Sequence, residues 1–258
     1  MMNSQIYERV HNNLKRLKLI TIDSQVDDYL EVAAKEKRTT LEVLDYLLDQ
    51  EQKSHEDRAF GLRRRLSGFP MEKRLEDFDM SFQPSLDPAV IRDLASLRFI
   101  HHAENVVFLG PPGVGKTHLA LSLGLDAMKQ GFRVYFANAS NLIERLEKAS
   151  HENRLEERIK ALNKFPLIIV DEMGYLPFKS EGAHCFFQLI SRRYEKSSII
   201  FTSNKSYGNW GEIFGDPVIA SAVLDRILHH CTTINIKGDS YHLKERRKQE
   251  MVTHNLPG

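Results

Sequence analysis

The residues with the clearest chemistry are Gly110, Pro111, Pro112, Gly113, Val114, Gly115, Lys116 and Thr117, a full match to the G-x-x-x-x-G-K-[ST] spacing. A short apolar strand precedes them from Val106, and a helix opens at Lys116 and runs to about Gln130, the context in which this pattern cradles phosphate. Gly113 and Gly115 lack a Cβ. The backbone there can curl tightly and aim successive N–H groups at phosphate oxygens, with the positive end of the helix dipole behind them. On this reading those eight residues and His118 bind the nucleotide, Lys116 reaching the β- and γ-phosphates and the Thr117 hydroxyl ligating Mg²⁺.

Three further stretches fit the same chemistry. The run 167–170 is apolar and ends in Asp171 and Glu172. At the carboxyl end of a central strand Asp171 can hold Mg²⁺ through its water shell while Glu172 orients and polarises the attacking water. Adjacent residues alternate across a strand, so the two acids take different tasks. A second apolar run ends in Thr202, Ser203 and Asn204, which places an amide where it can bridge γ-phosphate and water. Arg226 lies on an otherwise apolar helix. Its charge needs a partner, either a phosphate on a neighbouring subunit or an acid such as Asp225. The residues alone leave both open.

The elements that must hold these groups follow from periodicity. Strands are expected at 106–109, 134–137, 167–170, 199–202 and 233–236, alternating with helices, which predicts a mostly parallel five-stranded sheet with helices on both faces. The connection 138–165 is long, and its spacing suggests two helices meeting near 150–153. Upstream, a helix is expected from Pro88 to about Ile100.

At the N-terminus, Ile6, Val10, Leu14 and Leu17 recur at helical spacing. Ser24 is a candidate cap for a second helix. Thr39 with Glu42 has the form of a capping box for a third, with Leu44, Leu47 and Leu48 on its apolar face. Residues 1–67 are thus expected to form a small all-α domain that binds DNA or a partner, and 68–258 the nucleotide-binding domain. The breaker cluster Ser67, Gly68, Phe69 and Pro70 is read as the hinge.

Composition narrows the remaining classes. The net charge of +1 and 28% charged residues argue neither for nor against nucleic acid, so any DNA-binding face must be local. The two cysteines, Cys185 and Cys231, sit in separate apolar stretches and read as reduced core residues. No signal pattern or membrane-length apolar run occurs, which points to a cytoplasmic protein without a membrane partner. His101-His102 and His229-His230-Cys231 lack the separated pairs that a tetrahedral zinc site draws on and are set aside. No nucleophile elbow marks other hydrolase chemistry. Along 138–165, Arg145, Lys148, Arg154, Arg158, Lys160 and Lys164 interleave with acids at helical pair spacing, so charge alone fits a solvated face as well as a DNA track. Lys244, Arg246, Arg247 and Lys248 carry the same ambiguity.

Taken together, the stretches 73–79, 110–119, 171–177, 187–194, 202–205, 210–217 and 224–230 resemble the AAA+ ATPases. Within them the likeness is to the initiator and helicase-loader branch that includes DnaA and DnaC, and most of all to the IstB-like helper ATPases of insertion-sequence transposition. The resemblance implies a P-loop AAA+ domain, and a DNA-facing role for the helices within 138–165. It also implies that Arg226 acts on a neighbour's ATP, so that protomers assemble head to tail as an ATP-dependent ring or spiral. The implied activity is Mg²⁺-dependent ATP hydrolysis by a protein that assembles on duplex DNA and assists an integrase-type transposase. A replicative helicase loader is the alternative. No residue is assigned to a second sensing arginine.

Overall fold

The computed structural model describes residues 2–238, 240 and 241; the basic cluster at 244–248 lies outside them. Two compact units divide the chain, Met1–Leu62 and Arg63–Gly258. The division falls ahead of the 67/68 boundary read from the sequence, within a long helix.

The first unit is built from α1 (Met2–Leu17), α2 (Ile20–Lys35) and most of α3 (Thr40–Leu66). The Thr39 and Glu42 capping box forms as expected, the Thr39 N–H donating to Glu42 Oε2 at 2.6 Å and the Glu42 N–H to Thr39 Oγ1 at 3.3 Å. Ser24 does not cap α2: it lies inside the helix and its hydroxyl donates to the Thr21 carbonyl. The cap comes instead from α3, where the buried Glu51 carboxylate accepts from the Thr21 and Ile22 N–H groups at 2.8 and 3.0 Å and from Arg58 at 3.0 Å. Burial alone would raise the Glu51 pKa, but the Ile22 N–H, Arg58 and the Thr21 N–H outweigh it and hold the carboxyl below its ordinary value. The core of this unit is Ile22, Val26 and Leu47, with Leu14, Leu19, Tyr29 and Val43 packed on it. The apolar faces expected on α1 and α3 are only partly used, since Ile6, Val10, Leu17, Leu44 and Leu48 are exposed.

The second unit centres on β1 (Asn105–Leu109), β2 (Val134–Asn138), β3 (Leu167–Met173), β4 (Ser198–Ser203) and β5 (Cys231–Asn235), all parallel in the order β2-β3-β4-β1-β5. A parallel sheet covered on both faces needs apolar residues at consecutive positions, which is why these strands read as unbroken runs. Val107, Leu109, Ile168, Val170, Ile199 and Phe201 face a layer containing α7 (Ala139–His151), α9 (Ser180–Arg193) and α11 (Pro217–Leu228). On the other face lies α6 (Lys116–Lys129), where a Cβ on Gly124 would come within 2.7 Å of Ile169 Cδ1. The connection 138–165 holds the two expected helices, α7 and α8 (Leu155–Leu162).

Three sequence expectations need correction here. Residues 88–100 are not one helix but α4 (Pro88–Ala95) and α5 (Arg98–His101), broken at Leu97, whose left-handed φ of 61° turns its side chain into the core. β5 starts two residues early because α11 ends at Leu228 and the Asn105 N–H captures the His230 carbonyl at 2.8 Å. The 67–70 cluster is not a free hinge: the Ser67 carbonyl accepts from the Phe136 N–H at 2.7 Å, and Phe69 is buried against Phe136 and Gly124.

Candidate functional site

The carboxyl ends of parallel strands gather at one edge of the sheet, and the loops leaving them shape a cleft of about 880 Å³. The turn after β1 opens α6 with Gly113 and Gly115 both left-handed, at φ of 81° and 98°. At Gly115 a Cβ would lie 2.5 Å from the Phe78 ring, so side chains are excluded both by conformation and by space. Val114 is fully buried and anchors the turn. The Lys116 ammonium donates to the Gly110 and Pro111 carbonyls at 2.7 Å each, which holds the lysine across the mouth of the turn. Burial lowers its pKa, while the Asp171 and Glu172 carboxylates work in the opposite direction.

Thr117 Oγ1 donates to Asp171 Oδ1 at 2.8 Å, and Thr202 Oγ1 reaches the same oxygen at 2.6 Å. Asp171 is buried at the end of β3. A hydroxyl and a carboxylate brought together from two elements form the hard all-oxygen set that Mg²⁺ accepts alongside water. The donor chemistry therefore fits the ion implied by the motif.

Glu172 departs from the simple alternation expected of a strand. Pairing between β3 and β4 shifts register between Val170 and Met173, and Glu172 adopts a left-handed φ of 58°. This bulge lifts its exposed side chain out of the pleat. The Glu172 N–H is held by Thr202 Oγ1 at 2.9 Å, and its carboxylate accepts a hydrogen bond from the Asn138 amide. Asn138 ends β2 and caps α7, accepting from the Ser140 N–H at 3.1 Å. Sequence reading assigned Asn138 no role. Its position just before an amphipathic helix marks a cap, but nothing local reveals the contact with Glu172.

Asn204 follows β4 and lines the same cleft as Lys116, Thr117 and Glu172. Its place is set by Ser203, whose hydroxyl donates to the Met173 carbonyl at 2.6 Å. His118 also lines the cleft; its ring pairs with the Arg74 carbonyl at 2.8 Å and meets Phe78 edge-on. Met71, Phe78 and Tyr241 also line the cleft. The Tyr241 N–H donates to the Gly113 carbonyl and its hydroxyl to the Asp79 carbonyl. Burial, then Asp79, raises the Tyr241 pKa.

Arg226 is not in this cleft. Its guanidinium donates to the Ala222 carbonyl at 2.9 Å and lies over the Phe187 ring at 4.8 Å. Among the described residues it makes no ion pair, with Asp225 or any other acid. A second arginine went unremarked in the sequence. Arg193 is buried, with its guanidinium spread over the carbonyls of Leu162, Phe165, Pro166 and Ser198. Burial pushes its pKa down to about 9, so it remains charged at neutral pH.

Of the basic residues along 138–165, Arg154 and Lys160 pair with Glu152 and Glu156, and Arg145 and Arg158 converge on the Tyr135 hydroxyl. No described helix is long and apolar enough to cross a membrane.

Comparison with known proteins follows the same lines. The family model described as IstB-like ATP binding protein matches residues 12–249. An insertion sequence IS21 putative ATP-binding protein of Pseudomonas aeruginosa is 50% identical over 242 residues, covering 94% of this chain and 91% of the relative. The IS5376 putative ATP-binding protein of Geobacillus stearothermophilus is 44% identical over 243 residues, with 94% and 97% covered. Among solved structures, AMPPCP-bound DnaA from Aquifex aeolicus superposes with a TM-score of 0.55 at 20% identity. That likeness covers 73% of this chain and 57% of DnaA, and it identifies the AAA+ P-loop fold alone.

Proposed function

This chain belongs to the IstB-like ATP-binding family of insertion sequences, and from that premise we propose that it is a Mg²⁺-dependent ATPase. In this reading it assembles head to tail on duplex DNA with ATP between subunits and presents that DNA to a partner transposase. The observation that carries it is the grouping of Lys116, Thr117, Glu172 and Asn204 around one cleft, with Asp171 bonded to Thr117 and with Arg226 outside the cleft and, among the described residues, without an acid partner.

Each residue then has a task that its geometry supports. The glycine turn and Lys116 bind and neutralise phosphate oxygens. Thr117 and Asp171 would hold Mg²⁺, which would supply positive charge to offset the negative charge that develops on the phosphate. Glu172 accepts a proton from the attacking water, Asn204 orients that water against the γ-phosphate, and Asn138 positions the Glu172 carboxylate. Arg226 supplies a cation to the neighbour's site. An open groove of about 600 Å³ runs along α11, bordered by Ala220, Leu224 and Leu228, and gives that helix a surface on which a second copy can dock. Contacts of this head-to-tail kind build rings or spirals.

The names of the family and its relatives favour transposition over helicase loading, which would use the same motor. The decisive experiment is Glu172→Gln. We expect ATP binding within a few-fold of the unaltered protein and turnover reduced by ~10²–10⁴, with assemblies persisting on duplex DNA. Normal turnover would remove the general-base assignment, and DNA affinity insensitive to salt would remove the phosphate-backbone contact.

A further inference from the structure

We propose that Glu195, His229 and His230 form a surface site for a divalent transition metal of the zinc class. The sequence set the adjacent histidines aside because they lack the separated pairs that a tetrahedral zinc site draws on. The structure brings a further ligand, Glu195, from another element. α11 ends at Leu228, His229 closes the helix, and His230 turns into β5, so the two rings come to lie 4.2 Å apart between centroids. Glu195 follows α9 with a left-handed φ of 57°, which carries its carboxylate across to them.

One Glu195 oxygen lies 3.7 Å from His229 Nδ1 and 3.8 Å from His230 Nε2, and all three ligand atoms fall within 4.8 Å of one another. Tetrahedral zinc with bonds of ~2.0–2.2 Å needs its ligands roughly 3.3–3.5 Å apart, so small rotations of exposed side chains close the site. The backbone beneath is fixed, by the Asn105 N–H on the His230 carbonyl at 2.8 Å and the His229 N–H on the Asp225 carbonyl at 3.2 Å. Two imidazole nitrogens and one carboxylate favour zinc, nickel or copper over Mg²⁺ or Ca²⁺, and leave a fourth position for water. The Tyr194 hydroxyl, 2.9 Å from His229 Nδ1, is the contact the metal would displace.

None of the three residues lines the nucleotide cleft, so the test needs no nucleotide and its outcome is separate from that of the ATPase reading. The full chain is titrated with Zn²⁺ in excess Mg²⁺ against a chromophoric chelator, beside Glu195→Gln and the His229→Ala/His230→Ala pair. We expect one Zn²⁺ equivalent whose affinity falls at least about tenfold in either variant, since even outer partners of a metal site are worth ~10–100-fold. Unchanged stoichiometry and affinity in both would overturn the site. X-ray absorption of the unaltered protein loaded with one equivalent of Co²⁺ provides a check independent of variant folding. Two imidazoles on the cobalt support the assignment, and fewer than two refute it.

Discussion

The two edges of the parallel sheet are furnished for different work. At the carboxyl edge, turns and strand ends present Lys116, Thr117, Asp171 and Glu172, each held by hydrogen bonds to the protein, and Asn204 next to Ser203, which is itself held to Met173. At the amino edge, Asn105 ties three elements together, donating to the His230 and Ile227 carbonyls and accepting from the Ile199 N–H. Arg193 anchors the end of the α8 connection to the start of β4 beside it, and α11 delivers Arg226 just before this edge. A five-residue strand such as β1 at ~3.3 Å per residue separates the edges by roughly 15 Å. In the proposed assembly a second copy would bring Arg226 to this cleft, because within one chain the arginine lies outside it.

The sharpest way to break that contrast is to mix defects. Lys116→Ala and Arg226→Ala should each reduce turnover by ~10³ or more, yet a mixture of the two should regain activity. Hybrid contacts would pair an intact cradle with an intact arginine. Steady-state ATPase measured across mixing ratios checks this, and a strictly additive residue of activity would place Arg226 outside the site.

A smaller change is expected for Asn138→Ala, which frees the Glu172 carboxylate from its amide partner. Turnover should shift by about tenfold with little change in ATP affinity, and the pH profile of kcat should move with it. A loss of nucleotide binding instead would mean that the amide supports the fold rather than the acid.

At the amino edge, Arg193→Met should cost about 3 kcal/mol of stability, because several buried carbonyls lose their donor at once. Thermal unfolding measures it. A variant as stable as the original would show that water replaces the guanidinium.

The gentlest effect lies outside both edges, in the helical unit. The hydrogen bond to Asp23 raises the pKa of His11 against the opposing effect of burial, with Asp27 adding to the rise. Hydrogen bonds from Tyr7, then His11, lower that of Asp27 against the same opposition. Protonated His11 therefore stabilises this unit below its unfolded pKa of ~6.5, and the contribution fades as pH rises through the folded value. The Asp27 contribution is present above its unfolded pKa and is lost as pH falls through its depressed one. NMR titration of the His11 ring should give a midpoint above that of a free histidine, falling back in Asp23→Asn.

Periodicity and turn chemistry by themselves specified the β-α alternation, the five strands, the two helices within 138–165 and the Thr39 capping box, because these depend on neighbours a few residues apart. The glycine cradle and the acidic strand end were equally legible, since phosphate chemistry constrains residue type at fixed spacing. Tertiary structure alone decided the rest. The α2 cap arrives from Glu51 on another helix, the bulge at Glu172 depends on pairing with β4, and the Asn138 contact joins residues 34 apart in sequence. The burial of Arg193 and the meeting of Glu195 with His229 and His230 likewise depend on how α9 and α11 pack. Hydrogen bonds and charges act over a few ångströms of space whatever the distance along the chain, so a linear reading finds the groups but not the partners that fix what each can do.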